Sequence, residues 1–284
     1  MMHRATLLFF CVLAACAVAR AQSGTFHSWD KALENKAAVH RLAMVFKGMD
    51  TIPDVLDQFP NLTEINFSNN RIHALPPSFY RCRKLRKVVL FRNKIEAISD
   101  SIVELQTLEE LEIGSNRLTR LPDSIGYLRR LRRIEASGNM LRRLPESLAA
   151  LPLLYRLDVK TNHIDSLPAS LGEWPAIEIL DLSDNRITTI PRAIGQLSTL
   201  RMLFLPRNFI TLLPEEIGQC EKLHELDMVR SGVIRLPYSL TNLRLLEHVW
   251  IDPDTVPFYQ DPRMLVRQRI HVVDGSRYPY RSTQ

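Results

Sequence analysis

Glu112, Glu135, Asp158 and Asp181 follow one another at intervals of 23 residues, and the same step leads on to Phe204, Asp227 and Trp250. If one step is one turn of structure, four carboxylates stack into an acidic stripe that runs into aromatic side chains. Such a row could hold a cationic group next to an apolar anchor. Two residues before each of these positions stand Glu110, Arg133, Arg156, Ile179 and Met202, and two residues after them stand Lys160, Pro206 and Val229. The expected partner-binding residues are therefore Glu112, Glu135, Asp158 and Asp181 in the stripe, and Ile179, Met202, Phe204, Val229 and Trp250 in an apolar patch. A smaller pair, Val89 and Phe91, lies toward the other end of the row. Exposed apolar patches mark interaction sites, and Trp, Phe and Met are enriched at interface centres. Each group has a plainer reading. Like charges on adjoining strands repel, but Arg133, Arg156 and Lys160 are close enough in the pattern to make the stripe a compensated, solvated face. A C-terminal segment folded back over Trp250 would remove it from the patch.

The search for covalent chemistry is short. The chain has no Gly-x-Ser-x-Gly, no phosphate-binding Gly-rich loop, no His-Glu-x-x-His and no paired-cysteine metal motif. Its eight histidines are scattered. No catalytic residue, cofactor or metal is expected. Arg117, Arg120, Arg129, Arg130, Arg132, Arg133, Arg142 and Arg143 fall within 27 residues. They could attract lipopolysaccharide or a sulfated glycan, but no aromatic interleaving accompanies them as single-stranded nucleic acid would require. A salt-bridged flank is the favoured account, and nucleic acid is not an expected partner.

The positions that must carry these residues form ten copies, starting at Val39, Leu62, Leu85, Leu108, Leu131, Leu154, Ile177, Leu200, Leu223 and Leu246, each 23 residues after the last. A fixed period of this length means a solenoid. Positions 1, 4 and 6 are apolar, as in Leu154, Leu157 and Val159, and the last two alternate with polar residues as in a strand with one buried face. Position 9 is asparagine in seven consecutive copies: Asn70, Asn93, Asn116, Asn139, Asn162, Asn185 and Asn208. Stacked amides there would satisfy backbone groups where the chain leaves the strand. Apolar positions follow at 11, 14, 17 and 20 or 21. Proline at position 15 blocks further strand, and about one turn of helix or 3₁₀ structure is expected after it. Gly126, Gly172, Gly195 and Gly218 suit a helical end or a sharp bend.

The motif Leu-x-x-Leu-x-Leu-x-x-Asn-x-Leu, so repeated, resembles the leucine-rich repeat over about 220 residues. The Leu-Pro-x-x-Ile-Gly-x-Leu segment looks like that of exported bacterial repeat proteins, particularly those of the Bacteroidota. It is also similar to intracellular eukaryotic scaffolds such as the Ras suppressor. The resemblance implies an α/β solenoid, a curved right-handed superhelix. It has a parallel β-sheet on the concave face and short helical or 3₁₀ turns on the convex side. Ligands of the family usually sit on that sheet.

Residues 1–21 read as a secretory signal: Arg4, an apolar run from Ala5 to Val18, and the small-x-small site Ala19-Arg20-Ala21. Leu13-Ala14-Ala15-Cys16 resembles a lipobox, so a lipid anchor through Cys16 is the alternative. Arg4 and Arg20 account for two of the +6 formal charges, leaving +4 for the rest, a weak argument for a polyanion partner. A capping helix is expected in 22–38, with Ser28 as N-cap, ten repeats in 39–258, and a C-terminal cap and tail in 259–284. Lys47, Ser231 and Asp254 replace the asparagine in the terminal copies, as capping repeats require. Cys82 and Cys220 share one repeat slot six copies apart, roughly 30 Å at ~4.8 Å per strand, so they should be free buried thiols. The expectation is an exported, monomeric, non-enzymatic protein with no membrane span in its mature chain. It would recognise a protein, or secondarily a glycan or lipopolysaccharide, on its concave face. The rival is an intracellular signalling scaffold of the Ras-suppressor kind.

Overall fold

The computed structural model describes residues 24–255 and 269–273; the expected signal segment and most of the expected C-terminal cap lie outside them. The fold is one parallel sheet of twelve strands in sequential order. Its ten central strands start at β2 (Arg41–Ala43) and end at β11 (His248–Ile251), with a strand in each repeat. The sheet extends past the repeats at both edges. β1 (Thr25–Phe26) pairs with β2, and β12 (Arg269–Val272) pairs with β11. Neither edge strand carries the 23-residue pattern. Helix α1 (Trp29–Glu34) follows β1. Its Trp29 packs on Phe67 with ring centroids 5.8 Å apart, so the open end of the core is covered. Ser28 is its N-cap, but the hydroxyl makes no capping hydrogen bond. Among the described residues no helix is long and apolar enough to cross a membrane.

One repeat shows how the core is filled. Leu131, Ile134, Ala136, Leu141, Leu144, Leu148 and Leu151 are each 5% exposed or less. The buried slots of the second half are thus 11, 14, 18 and 21, so the third lies one residue later than the sequence count placed it. Proline caps the five-residue 3₁₀ turns at Pro122, Pro145, Pro168, Pro191, Pro214 and Pro237 with φ between −63° and −70°. Adjacent turns touch so closely that a Cβ on Gly126 or Gly195 would lie 2.4 Å from a carbonyl oxygen of the next turn. These glycines serve close approach between repeats, not the bend expected of them. Cys82 and Cys220 are free and buried, and burial pushes both thiols up to about 12. They act as small hydrophobes.

The asparagines tie each repeat to its predecessor. Asn139 Nδ2 donates to Ala136 O at 3.0 Å in its own turn and to Ile113 O at 3.1 Å in the previous one. Its Oδ1 accepts from Leu118 N at 3.0 Å, also in the previous repeat. The same reach recurs from Asn70 to Asn208. The residue just before each asparagine is left-handed, with φ of 52° to 64° at Asn69, Arg92, Ser115, Gly138, Thr161, Asp184 and Arg207. Side chains other than glycine disfavour this region by about 1 kcal/mol, so the inward amide justifies a repeated cost. At Ser231 the shorter hydroxyl accepts from Val233 N, 3.3 Å away in its own repeat.

Replacing Asn139 by Leu should orphan Leu118 N–H, leave the Ile113 carbonyl with Asn116 Nδ2 alone, and cost about 2 kcal/mol. Urea unfolding measures this directly. A loss well below 1 kcal/mol would remove the amide from its bridging role.

Candidate ligand surface on the parallel sheet

Strand register places the sequence-selected residues in two rows on the solvent face. One row runs Glu112, Glu135, Asp158, Asp181, Phe204, Asp227, Trp250. The other runs Lys87, Glu110, Arg133, Arg156, Ile179, Met202. The rows are set by the odd positions of each strand, because the even ones are drawn into the core.

The acidic stripe is only partly open. Glu112 pairs with Lys87 at 3.0 Å, and Arg133 binds Glu135. Lys160 lies between Asp158 at 3.3 Å and Asp181 at 3.8 Å. Arg133 and Lys160 thus do the compensation expected of them, and Lys87 adds to it. Asp158 is 2% exposed. Its Oδ1 accepts from Lys160 N at 3.2 Å, closing the turn at the strand end as Asn66 does for Ser68 N at 3.1 Å. Asp181 and Asp227 make the same bond to the residue two further on. Part of the stripe is therefore architecture. Burial, then the Asp181 carboxylate, push the Asp158 carboxyl up to about 6 against the pull of Lys160.

The apolar patch contracts. Ile179 and Met202 are register neighbours, and Phe204 shares the face of Met202; all three are half-buried. Val229, at 4% exposure, and Val89, at 8%, offer almost no surface, against the sequence reading. Val89 is short and sits between Asn66 and Glu112 on adjoining strands. Val229 sits at position 7, where its amide is already turned toward Asp227 Oδ1. Pro206 is buried as well. Phe91 remains half-exposed, with its ring against the space left by Gly114 and the Arg92 guanidinium 5.2 Å from its centroid.

Trp250 is covered on one face by the C-terminal strand. His271 stacks on it at 4.0 Å with an interplanar angle of 18°, and His271 Nε2 lies 2.9 Å from His248 Nδ1. The sequence reading left open a C-terminal segment folded back over Trp250, and His271 supplies that contact. The surface left for a ligand is the slope from Glu135 and Asp181 to Ile179, Met202 and Phe204.

Family models for leucine-rich repeats match residues 83–141, 152–210 and 60–103. No curated protein matches the chain. A leucine-rich repeat protein of Leptospira interrogans is 30% identical with a TM-score of 0.74, over 78% of this chain and 57% of that one. The leucine-rich repeat ectodomain of the Arabidopsis thaliana receptor kinase GASSHO1/SCHENGEN3 is 28% identical with a TM-score of 0.67, over 77% of this chain and 28% of that one. The chain therefore spans less than two thirds of either. The leucine-rich repeat domain of the type III effector XopL, 23% identical, shares the fold with a TM-score of 0.67, over 80% of this chain and 79% of that domain. With the period, the asparagine ladder and the twelve-stranded parallel sheet, these matches place the chain in the leucine-rich repeat family.

Proposed function

We propose that this chain is an exported, non-enzymatic binding protein that holds a protein partner on the solvent face of its sheet. Ile179, Met202 and Phe204 are the apolar anchor, and Glu135 and Asp181 receive a cationic group beside it. The observation that carries this reading is the contiguity of a half-exposed Ile-Met-Phe cluster with a carboxylate pair that shares one lysine. Leucine-rich repeat domains generally bind proteins, and the similar Arabidopsis ectodomain is described in complex with CASPARIAN STRIP INTEGRITY FACTOR 2. Export rests on the residues of 1–21, with acylation at Cys16 as the variant form.

Phe204→Ala and Met202→Ala should each weaken capture of the native partner by on the order of 2 kcal/mol, about thirtyfold, with the stack intact. Capture by both variants at wild-type strength would exclude the anchor. Mass spectrometry of the purified native protein should find Gln22 at its N-terminus. An acylated Cys16 would move it to the lipid-anchored form, and a retained Met1 would favour the intracellular scaffold.

Asp158 tests the electrostatics of the stripe on the fold. Its folded carboxyl, pushed to about 6 from an ordinary 3.8, favours the fold when protonated. That contribution is present below about pH 4 and lost as pH rises through 6. At pH 7.5 the ionised group burdens the fold by about 1–3 kcal/mol. Asn in its place keeps the turn, as Asn66 does. Asp158→Asn should raise the melting temperature at pH 7.5 and leave it near wild type at pH 4. A variant that melts lower at pH 7.5 would contradict the charge argument.

A further inference from the structure

Beyond the sheet, positions 10, 12 and 13 of copies two to nine form a rim that is exposed except at the half-buried Lys94 and His163, with the intervening position 11 buried. In copies three to seven this rim carries Lys94, Arg117, Arg120, Arg142, Arg143 and Arg186 against two carboxylates, Glu96 and Asp165. Only Arg117 approaches one of these acids, Glu96 at 3.8 Å. The others have no carboxylate at ion-pair distance among the described residues.

In copies eight and nine the same positions turn apolar. Phe209, Leu212 and Ile234 are 63%, 60% and 63% exposed. They are neighbours: Leu212 and Arg235 bridge two adjoining turns, and Phe209 and Ile234 both line a hollow of about 670 Å³ with Thr211, Val233 and Pro253. Asp252 and Asp254 form its far wall in copy ten. A row of cations roughly 20 Å long, at ~4.8 Å per repeat, thus ends in three bulky apolar side chains standing in water. No packing within the described residues requires them there.

We propose that this rim docks on an anionic phospholipid surface. Phe209, Leu212 and Ile234 would enter the boundary between headgroups and acyl chains, and the arginine row would meet the headgroup phosphates. Charge complementarity argues for the occupant, since basic side chains beside exposed apolar ones are the two signals that peripheral membrane binding combines. A sulfated polymer would satisfy the arginines but leave the apolar trio hydrated. The rim is separate from the sheet face, so docking would leave Phe204 and its neighbours free for a partner.

The test is sedimentation of the full chain with phosphatidylcholine vesicles, with and without phosphatidylglycerol. The readout is the excess on anionic over neutral vesicles, because the apolar run at Ala5–Val18 would bind both alike. The excess should be on the order of tenfold or more at low salt and decline as salt rises. The pair Arg142→Glu with Arg143→Glu should abolish it. Phe209→Ser with Leu212→Ser and Ile234→Ser should lower anionic binding about tenfold, and Phe204→Ala should leave it unchanged. In a Phe209→Trp chain, brominated lipid should quench the added fluorescence, a readout that does not depend on a loss of binding. Equal partition into both vesicle types, or no quenching at 209, would overturn the proposal. So would heparin capture that needs the arginines while the triple-serine chain binds vesicles as wild type does, which would mark a polyanion site.

Discussion

The repeats depend on one amide. Each asparagine of the ladder reaches across a repeat boundary in both senses, donating to a carbonyl of the previous turn and accepting from its amide, as Asn116 does with Leu90 O at 3.0 Å and Ile95 N at 3.0 Å. The groups it satisfies lie where the strand has ended and ladder bonding has stopped. A buried backbone group without a partner costs about 1–3 kcal/mol. Without the ladder, every copy would bury several such groups. The left-handed residue before each asparagine is the geometric consequence: the chain must reverse sharply to aim the amide inward, and it does so even at the branched Thr161, with φ 56°.

This constraint explains what can be read from the sequence and what cannot. A slot that every repeat must fill the same way writes itself many times, so the core apart from its slot 18, the ladder, the strand register and both cysteines were legible from spacing alone. The position-19 glycines were legible as a pattern but not in cause, because the clash that selects them lies between turns of successive copies. β12 was legible as part of a C-terminal cap but not as a strand, since an edge strand that caps the stack is used once and repeats no register. The burial of Val89 and Val229 depends on the size of side chains on adjoining strands, which a count along one copy does not weigh.

The sheet face shows a second limit. An acidic row looks like one feature, yet it divides by chemistry. Aspartate is short enough to accept from the amide two residues on and so belongs partly to the turn, as at Asp158, Asp181 and Asp227. Glutamate is too long for that bond in this setting, and Glu112 and Glu135 instead meet Lys87 and Arg133. The distinction between aspartate and glutamate was present in the sequence. Its meaning required knowing that the strand ends after three residues.

Asp158 is then the residue where architecture and charge compete. Asparagine would close the turn equally well and would spare the fold a carboxylate buried beside Asp181. The slot is not held by the repeat, since Phe204 and Trp250 occupy it elsewhere. A charge kept at a position that neither the ladder nor the core demands, and that burial makes costly, is held there by the Lys160 ammonium and by the Lys160 amide. Lys160 serves both carboxylates with one ammonium, at 3.3 and 3.8 Å. Asp181 keeps 16% of its side chain exposed against 3% for Asp158, so the charge that the pair presents to solvent is that of Asp181.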